Sequence, residues 1–579
     1  MSRGVPSRTG LFLALASVWT ATILAGASCS GSSTTTTTTP EPAQVRAPEL
    51  GRPDLRIAVI TDLEGYLEPC GCTSRPLGGI DRMAAELARI RGEGVPTVVV
   101  ASGDLLFNSG GDHAVARPGA ETQEIWKAET LLDILARLEL AAAVPGGLDL
   151  HYGPATFATL AESARFPLLA SGVTVSVPTG TSTDDADAGP LDAGASTRTL
   201  ALRDRTIVSA GSLRVGIVGV SDMAVAGLTD ASVTAPEDLV ARAEESANAL
   251  RDEGADLVIA LVRAPRRTSR RIASQIASVD FVIEGGLDEV DAHLPSTTDH
   301  GVILHAGRQG QHVVVVDVHR RPASEGTMGW TDLGTWAREA ERSRLRAQAD
   351  ELRARIAEWE NDSNVAASDV AEQRARLSEI EREADALIAV PEARGNAFEA
   401  RLVELDPDRP RDASITSLLD AYSVRVNDHN RVAFEDWLPA PAAEGQPRYV
   451  GSETCGGCHT EELAWWRTTM HGRAYQTLVD VHKEYNLSCV GCHVTGYNRP
   501  GGSTVSHTGP LQDVGCETCH GPGSQHVASP TGASVNVHRE VNEGTCLGCH
   551  TPEHSDRFVY VGYRAMMMVP GHGLPSAED

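Results

Sequence analysis

Four copies of the spacing Cys-x-x-Cys-His stand in the last quarter of the chain. Their cysteines are Cys455, Cys458, Cys489, Cys492, Cys516, Cys519, Cys546 and Cys549, and their histidines are His459, His493, His520 and His550. Two thiols at this spacing can form thioethers with the vinyl groups of one haem, and the adjacent histidine can bind the iron as proximal ligand. A single copy could also be half of a zinc site or a thiol redox pair. Four copies, each with its histidine, favour four covalently bound c-type haems.

The same region is rich in further histidines that could bind the irons from the other side. Eleven of the 19 histidines of the chain follow Pro447. This enrichment predicts bis-histidine ligation, with Met566, Met567 and Met568 as weaker alternatives. The seven histidines outside the motifs are His471, His482, His507, His526, His538, His554 and His572.

Length and charge limit the function further. The chain has 579 residues and a net charge of -28, which predicts several domains and argues against nucleic-acid binding. Four haems within residues 448–579 leave little room for an apolar side-chain core. We therefore expect a haem-packed region, mostly short helices and irregular structure, in which the irons lie close together.

Several segments around these motifs resemble the tetrahaem cytochrome c family typified by the electron acceptor of hydroxylamine oxidation. The resemblance rests on Tyr449 to Cys455, on Trp465-Trp466 followed by His471, and on the residues that follow Cys519 and Cys549. It implies that His471, His526 and His554 are distal ligands. That family includes a member with one five-coordinate haem, so the resemblance leaves the fourth iron open. His482, His507, His538 and His572 compete for that position.

The elements before the motifs predict an α/β domain over residues 54–330. Short β-branched runs alternate with segments whose apolar residues have helical spacing, interrupted by a Ser/Thr/Asp/Gly insert at about 179–197. The predicted strands are 56–61, 95–101, 213–220, 257–262, 281–284 and 312–318, and the predicted helices are 82–91, 128–138, 155–163 and 236–252.

Parts of this domain resemble the metallophosphoesterase sandwich of secreted 5'-nucleotidases. The resemblance rests on residues 61–69, 78–82, 102–104 and 145–153. Asp62 and Asp104 match metal ligands, and Glu64 replaces the first histidine. Gly147-Leu148, Arg263 and residues 285–288 stand where other ligands are expected, so a working two-metal hydrolase is disfavoured. One weak divalent ion site at Asp62, Glu64 and Asp104 is the remaining expectation.

Cys70 and Cys72 lie beside the first of these loops. Two thiols this close, in an oxidising compartment, could form a reducible redox pair, bind a soft metal ion or act as a structural clip. If the protein is an enzyme, this pair is its candidate catalytic site.

The N-terminus predicts export. Residues 1–29 combine early arginines, an apolar run and small residues before Cys29, which is typical of an export signal and resembles the lipidated cysteine of bacterial lipoproteins. Residues 30–53 are a Thr/Pro-rich tether. We expect a periplasmic or outer-membrane lipoprotein, held at the membrane by its lipid; ordinary cleavage, leaving a soluble periplasmic protein, is the alternative.

Between the two larger regions, residues 335–390 predict an antiparallel, coiled-coil-like helical hairpin that serves as a spacer or a dimerisation arm, and residues 391–447 a linker.

The favoured function is electron transfer by an exported multihaem cytochrome, with a redox protein or a quinol/cytochrome chain as partner. Its degenerate α/β domain would bind a partner or substrate, or use its two thiols. The rivals are a multihaem oxidoreductase with an open haem or a Cys70/Cys72 active site, and, as the weaker rival, a 5'-nucleotidase-like hydrolase. Whether the protein is an enzyme stays open at this point.

Overall fold

The computed structural model describes residues 51–579 except 70–72, 109–118, 180–195, 224–231, 288–290, 322–328, 394, 530–534, 552–553, 571 and 575–579. The signal, Cys29, most of the tether, Cys70 and Cys72 therefore lie outside the described residues. No helix in the described part of the chain is long and apolar enough to span a membrane.

Two six-stranded sheets form the α/β domain. The first has the order β14-β15-β13-β1-β2-β3, in which β1 pairs parallel with β2 and antiparallel with β13. Its strands are β1 (Leu55–Thr61), β2 (Thr97–Ser102), β3 (Leu140–Val144), β13 (His312–His319), β14 (Trp330–Asp332) and β15 (Asn396–Glu404).

The second sheet has the order β11-β12-β10-β9-β7-β6 and is parallel from β12 to β7. Its strands are β6 (Arg205–Ala210), β7 (Leu213–Ser221), β9 (Leu257–Arg263), β10 (Phe281–Gly285), β11 (His293–Thr297) and β12 (Val302–His305). A smaller sheet consists of β4 (Thr174–Thr179), β5 (Ser196–Ala201) and β8 (Val233–Thr234). Thr179 pairs with Ser196, so the ends of the predicted insert belong to paired strands.

The two large sheets pack face to face, with helices on their outer sides. Apolar side chains of both sheets, among them Ile57, Val316, Ile259 and Ile283, share one buried cluster, as expected for strands that are buried on both faces. The helices are α1 (Ile80–Gly92), α2 (Glu121–Arg137) and α8 (Ala413–Ala433) on the first sheet, α4 (Leu239–Asp252) and α5 (Arg266–Gln275) on the second, and α3 (Gly153–Ser163) beside the small sheet. The predicted α/β sandwich is confirmed.

The prediction of a linker over residues 391–447 is wrong. β15 pairs with β13 along its whole length, and α8 packs its buried Ile415 and Leu419 against the first sheet. Charged residues in β15 interrupt the apolar pattern by which a strand is predicted. One of them, Arg401, forms an ion pair with Asp317 on the neighbouring strand, at 2.7 Å. The α/β domain therefore continues to the end of α8.

The predicted hairpin is present as α6 (Trp336–Glu360) and α7 (Ala367–Ala386). Leu345, Leu352 and Ile356 pack against Val370 and Ile380 in one buried cluster. Ion pairs of Arg353 with Glu381 and of Glu360 with Arg374 show that the helices run in opposite directions. The apolar stripes of the two helices face each other within one chain. A dimer through this arm stays a prediction.

The C-terminal region, residues 448–579, has short helices. They are α9 (Ser452–Gly456), α10 (Thr460–Trp466), α11 (Ala474–Val479), α12 (Cys516–His520), α13 (Ser524–Ala528), α14 (Glu543–Leu547) and α15 (Tyr560–Met567), followed by a two-stranded pair of β16 (Val569–Pro570) and β17 (Gly573–Leu574). This agrees with the expected scarcity of regular structure.

Candidate functional site

Each Cys-x-x-Cys-His motif lies on or beside a short helical turn. The third motif forms α12, the first and fourth begin within α9 and α14, and the second forms a 3-10 turn over Val490–Cys492. A helical turn puts residues three apart on one face, so both thiols of a motif point to the same side. This is the local geometry that two thioether bonds to one planar group require.

Cysteines of different motifs lie next to one another. The thiol of Cys455 is hydrogen-bonded to that of Cys516, and Cys492 is hydrogen-bonded to Cys549. The first motif therefore adjoins the third, and the second adjoins the fourth. Groups attached to these cysteines would lie close together.

Three of the four motif histidines face a second histidine at nearly the same spacing. The ring centroids are 6.2 Å apart for His459 and His526, 6.2 Å for His550 and His471, and 6.3 Å for His520 and His572. Two imidazoles that bind one iron from opposite sides, with bonds of about 2 Å, place their centroids about 6 Å apart. The spacings fit bis-histidine ligation of iron.

The Nδ1 atoms of several of these rings are held by acceptors. Nδ1 of His493, His520 and His572 lies 2.6 Å from the carbonyl oxygens of Ala474, His538 and Met567, and Nδ1 of His550 lies 3.0 Å from Ser555 Oγ. An imidazole whose Nδ1–H is donated in this way offers Nε2 to a metal and is fixed in orientation. Among the described residues, no second histidine ring is paired with that of His493 in this manner.

The protonation of the buried rings also suits ligation. Burial lowers the pKa of His550, and burial together with the charge of His550 lowers the pKa of His471. Both rings are therefore neutral near pH 7, which is the form that binds metals.

All eight motif cysteines and all four motif histidines line one cavity of about 3190 Å³. Single small-molecule pockets measure about 300–1000 Å³, so the space suits several large groups. The residues present thus fit covalent haem. His526, His538, His554 and His572 also line the cavity, whereas His482 and His507 are not among its described lining residues.

One ring spacing involves a candidate that the resemblance left open. The ring beside His520 belongs to His572, one of the four histidines that compete for the fourth iron. His572 is far from the motifs in sequence and was only a competing candidate. With His526, His471 and His572 beside the other three motif histidines, the iron at His493 is the one left for His554, which lines the same cavity. Distal ligation by His554 stays a prediction, and four low-spin haems would be its result.

Comparison with known proteins finds matches in the region of the motifs. Residues 454–521 match the family described as cytochrome c554 and c-prime. This segment has the cytochrome c554 pattern. A cytochrome c-554 of Nitrosomonas europaea is 36% identical over 91 residues, and the match covers 13% of this chain and 39% of that protein. The chain thus spans well under half the length of this cytochrome c-554.

Several solved structures are similar to a large part of this chain at low sequence identity. A 5'-nucleotidase precursor from Thermus thermophilus is 15% identical, with a TM-score of 0.41 over 71% of this chain and 67% of its own. The sulfate thiohydrolase SoxB of the same organism is 14% identical, with a TM-score of 0.40 over 66% and 62%. At these TM-scores the likeness supports no conclusion about activity.

The loops at the carboxyl ends of β1 and β2 bring the three predicted metal ligands together. Asp62, Glu64 and Asp104 are all at most 4% exposed. Oδ1 of Asp62 accepts hydrogen bonds from the backbone N–H groups of Gly286 and Asp104, at 2.7 and 3.1 Å. Burial raises the pKa of Asp62 well above its usual range, as do the charges of Asp104 and Glu64.

Guanidinium groups occupy the positions next to these carboxylates. Arg263 Nη2 lies 3.0 Å from Asp104 Oδ2, and Arg263 Nη1 lies 3.1 Å from Asp222 Oδ1. Arg308 binds Glu64 at 2.6 Å. A Cβ on Gly146 would stand 2.0 Å from Asp104 Oδ1 and 2.9 Å from Arg263 Nε, so a larger residue there would displace this pair.

The predicted divalent ion site does not fit these residues. Arg263, Arg308 and backbone N–H groups bind oxygens of all three carboxylates, and Asp62 Oδ2 is the one oxygen of Asp62 that is buried without a hydrogen-bond partner. A metal ion there would also be repelled by the neighbouring guanidinium groups. The described residues contain no group of three or more His, Cys, Asp or Glu side chains arranged to hold a metal ion. The expectation of a weak ion at Asp62, Glu64 and Asp104 is therefore not supported.

Sequence reasoning also missed Gln123, which lies in α2 and contacts the C-terminal region at the second motif. A buried glutamine in an amphipathic helix gives no signal of its own.

Proposed function

We propose that this protein is an exported multihaem cytochrome that carries electrons through four covalently bound c-type haems. The observation that carries the proposal is the set of three histidine ring pairs at 6.2–6.3 Å, each including one motif histidine, in a cavity lined by all eight motif cysteines. The cytochrome c554 family match supports it. When bound, each haem would supply one-electron exchange.

The residues take the following roles in this proposal. Two cysteines of each motif hold a haem, and the motif histidine binds its iron. His526, His572 and His471 are the distal ligands opposite His459, His520 and His550. Bis-histidine ligation favours electron exchange over substrate binding, since both axial positions are taken.

His493 has a different environment, and this favours an oxidoreductase as second candidate function. Its Nδ1 is held by Ala474, but no other histidine ring in the described chain is paired with it. An iron with an open position can bind a small ligand, so the haem at His493 is the candidate reactive centre.

Expression with the haem-attachment machinery tests both functions. We expect four covalent haems per chain, three with low-spin and one with high-spin EPR signals, the latter shifting when cyanide is added. Four low-spin haems that do not bind cyanide would agree with the electron-carrier function and would exclude an open iron position. A chain without covalent haem would contradict the whole proposal.

The N-terminal sequence supports export of the protein. Lipidation at Cys29 would hold the protein as a periplasmic or outer-membrane lipoprotein, where haem attachment takes place. Mass spectrometry of the mature N-terminal peptide checks this, because lipidation adds acyl mass at Cys29. A peptide cleaved elsewhere without acyl mass would contradict the anchor.

A thiol redox role for Cys70 and Cys72 is supported by the residues on both sides of the pair. Glu68 is bound by Lys483 at 2.5 Å, Ser74 hydrogen-bonds Asp556, and Pro69 and Thr73 line the same cavity as the motifs. The double variant Cys70→Ser, Cys72→Ser tests the role. We expect the haem content to stay at four while the rate at which an added dithiol reductant reduces the haems falls; an unchanged rate would exclude the role.

A further inference from the structure

A buried glutamine of the α/β domain reaches the segment that leads into the second motif. Gln123 is 1% exposed, and its Nε2 donates hydrogen bonds to Asn486 Oδ1 and Ser488 Oγ, both at 3.2 Å. Burial of an amide group costs free energy unless the group is hydrogen-bonded. These contacts therefore fix the position at which the α/β domain meets the C-terminal region.

The oxygen of the same amide group is also hydrogen-bonded. Gln123 Oε1 accepts from the backbone N–H of Leu487 at 3.1 Å and from Asn430 Nδ2 at 3.0 Å. Asn430 donates as well to the carbonyl oxygen of Tyr485 at 2.9 Å, and Asn427 accepts from the N–H of Tyr485 at 2.9 Å. Helices α2 and α8 thus hold the backbone of residues 485–488 at several points.

This segment sets the position of the second motif. The carbonyl oxygen of Asn486 accepts from the N–H groups of Cys489 at 3.0 Å and Val490 at 2.9 Å, and Asn486 Oδ1 accepts from Ser488 N at 2.8 Å. Val490 is fully buried in an apolar cluster that includes Ala120 and Leu487. A short hydrogen-bonded path therefore runs from Gln123 through Asn486 to the haem-binding cysteine.

We propose that Gln123 is a positioning residue for the haem at His493, and that the α/β domain, no longer fitted for metal, serves as the fixed support of that haem. The proposal rests on the proposed function, in which this haem has the open iron position. Loss of a partner that hydrogen-bonds a metal ligand directly typically changes metal affinity or activity about 10–100-fold. Gln123 acts through Asn486, so we expect the low end of this range.

The test uses the full haem-loaded chain. In Gln123→Leu the side chain keeps its approximate size but loses every hydrogen bond; Gln123→Glu keeps the acceptor for Leu487 and Asn430. We expect the cyanide dissociation constant of the high-spin haem to change about 10-fold in Gln123→Leu and also in Gln123→Glu, because neither side chain can donate a hydrogen bond to Asn486. The low-spin EPR signals of the other three haems should be unchanged.

A second readout does not depend on the open iron. Amide hydrogen exchange in the peptide spanning residues 483–494 should accelerate in Gln123→Leu, while peptides of the other three motifs keep their rates. If wild type binds no cyanide, the open site of the proposed function fails, and the exchange data alone decide the role of Gln123.

Ser246→Ala is the matched control, because Ser246 is a buried polar residue in α4 whose hydroxyl contacts Ser171 rather than the C-terminal region. It should alter neither cyanide binding nor exchange at the second motif. If Gln123→Leu does not fold, Ser488→Ala removes one of the same contacts and should give a smaller change of the same kind. Unchanged cyanide affinity and exchange, or equal changes at all four haems, would overturn the proposal.

Discussion

Arg263 at the end of β9 binds Asp104 after β2, with Nη2 3.0 Å from Oδ2, and so joins the two sheets at the place where the family resemblance implied metal. Both side chains are largely buried, at 15% and 6% exposed. Removal of one partner of such a pair leaves a buried charge without compensation.

The first prediction concerns this pair. Arg263→Ala should lower the free energy of unfolding by about 3–5 kcal/mol, the usual cost of breaking a buried pair. Arg353→Ala, which removes an exposed pair, should leave the free energy of unfolding almost unchanged. Urea unfolding of the three proteins checks this.

EDTA should leave the wild-type midpoint unchanged; a midpoint that falls with EDTA would mean that the domain does hold a metal.

The second prediction separates two histidines. His572→Ala should turn the haem at His520 from low-spin to high-spin, because the ring 6.3 Å from His520 is lost. EPR spectra of the oxidised protein measure this. His554→Ala serves as comparison and should leave the haem at His520 low-spin. Loss of the low-spin signal at His520 in His554→Ala but not in His572→Ala would contradict this pairing.

The third prediction tests β15. Phe398 is fully buried between the two sheets, so Phe398→Ala should cost about 3–5 kcal/mol of unfolding free energy. Val432→Ala, at an exposed position of α8, should change it by about 0.5 kcal/mol or less. Equal, small effects would mean that residues 391–447 are a linker after all.

The fourth prediction is a pH dependence. Burial lowers the pKa of His312 below its ordinary value of 6.5. A histidine with a lowered pKa in the folded state contributes stability above pH 6.5, and this contribution is lost as the pH falls toward the folded pKa. Wild type should therefore lose stability between about pH 7 and 5 faster than His312→Gln, by at most about 1.4 kcal/mol per pH unit. Parallel curves in urea titrations would contradict this.

Much of the fold was predictable because its strands carry long β-branched runs. The six predicted strands and the hairpin are present. The four motifs predict haem chemistry from their spacing alone. β3 was missed because its sequence, Leu140 to Val144, is mostly alanine, and β15 was missed because charged residues interrupt its pattern.

The site was predictable only in part, for a similar reason. Motif histidines are specified by their neighbours in sequence, whereas the pairing of His520 with His572 depends on how a distant segment folds back. In the sequence, Arg263 was visible as a residue that stands where the resemblance implies a metal ligand. The structure was needed to show that its guanidinium binds Asp104.

Chain order adds a consequence for biogenesis. Every strand of both large sheets, from β1 to β15, and helix α8 precede Cys455. The α/β domain can thus close from a continuous stretch before the first attachment motif emerges, presenting Gln123 and Asn430 in place. The second motif would then dock onto a finished surface during maturation.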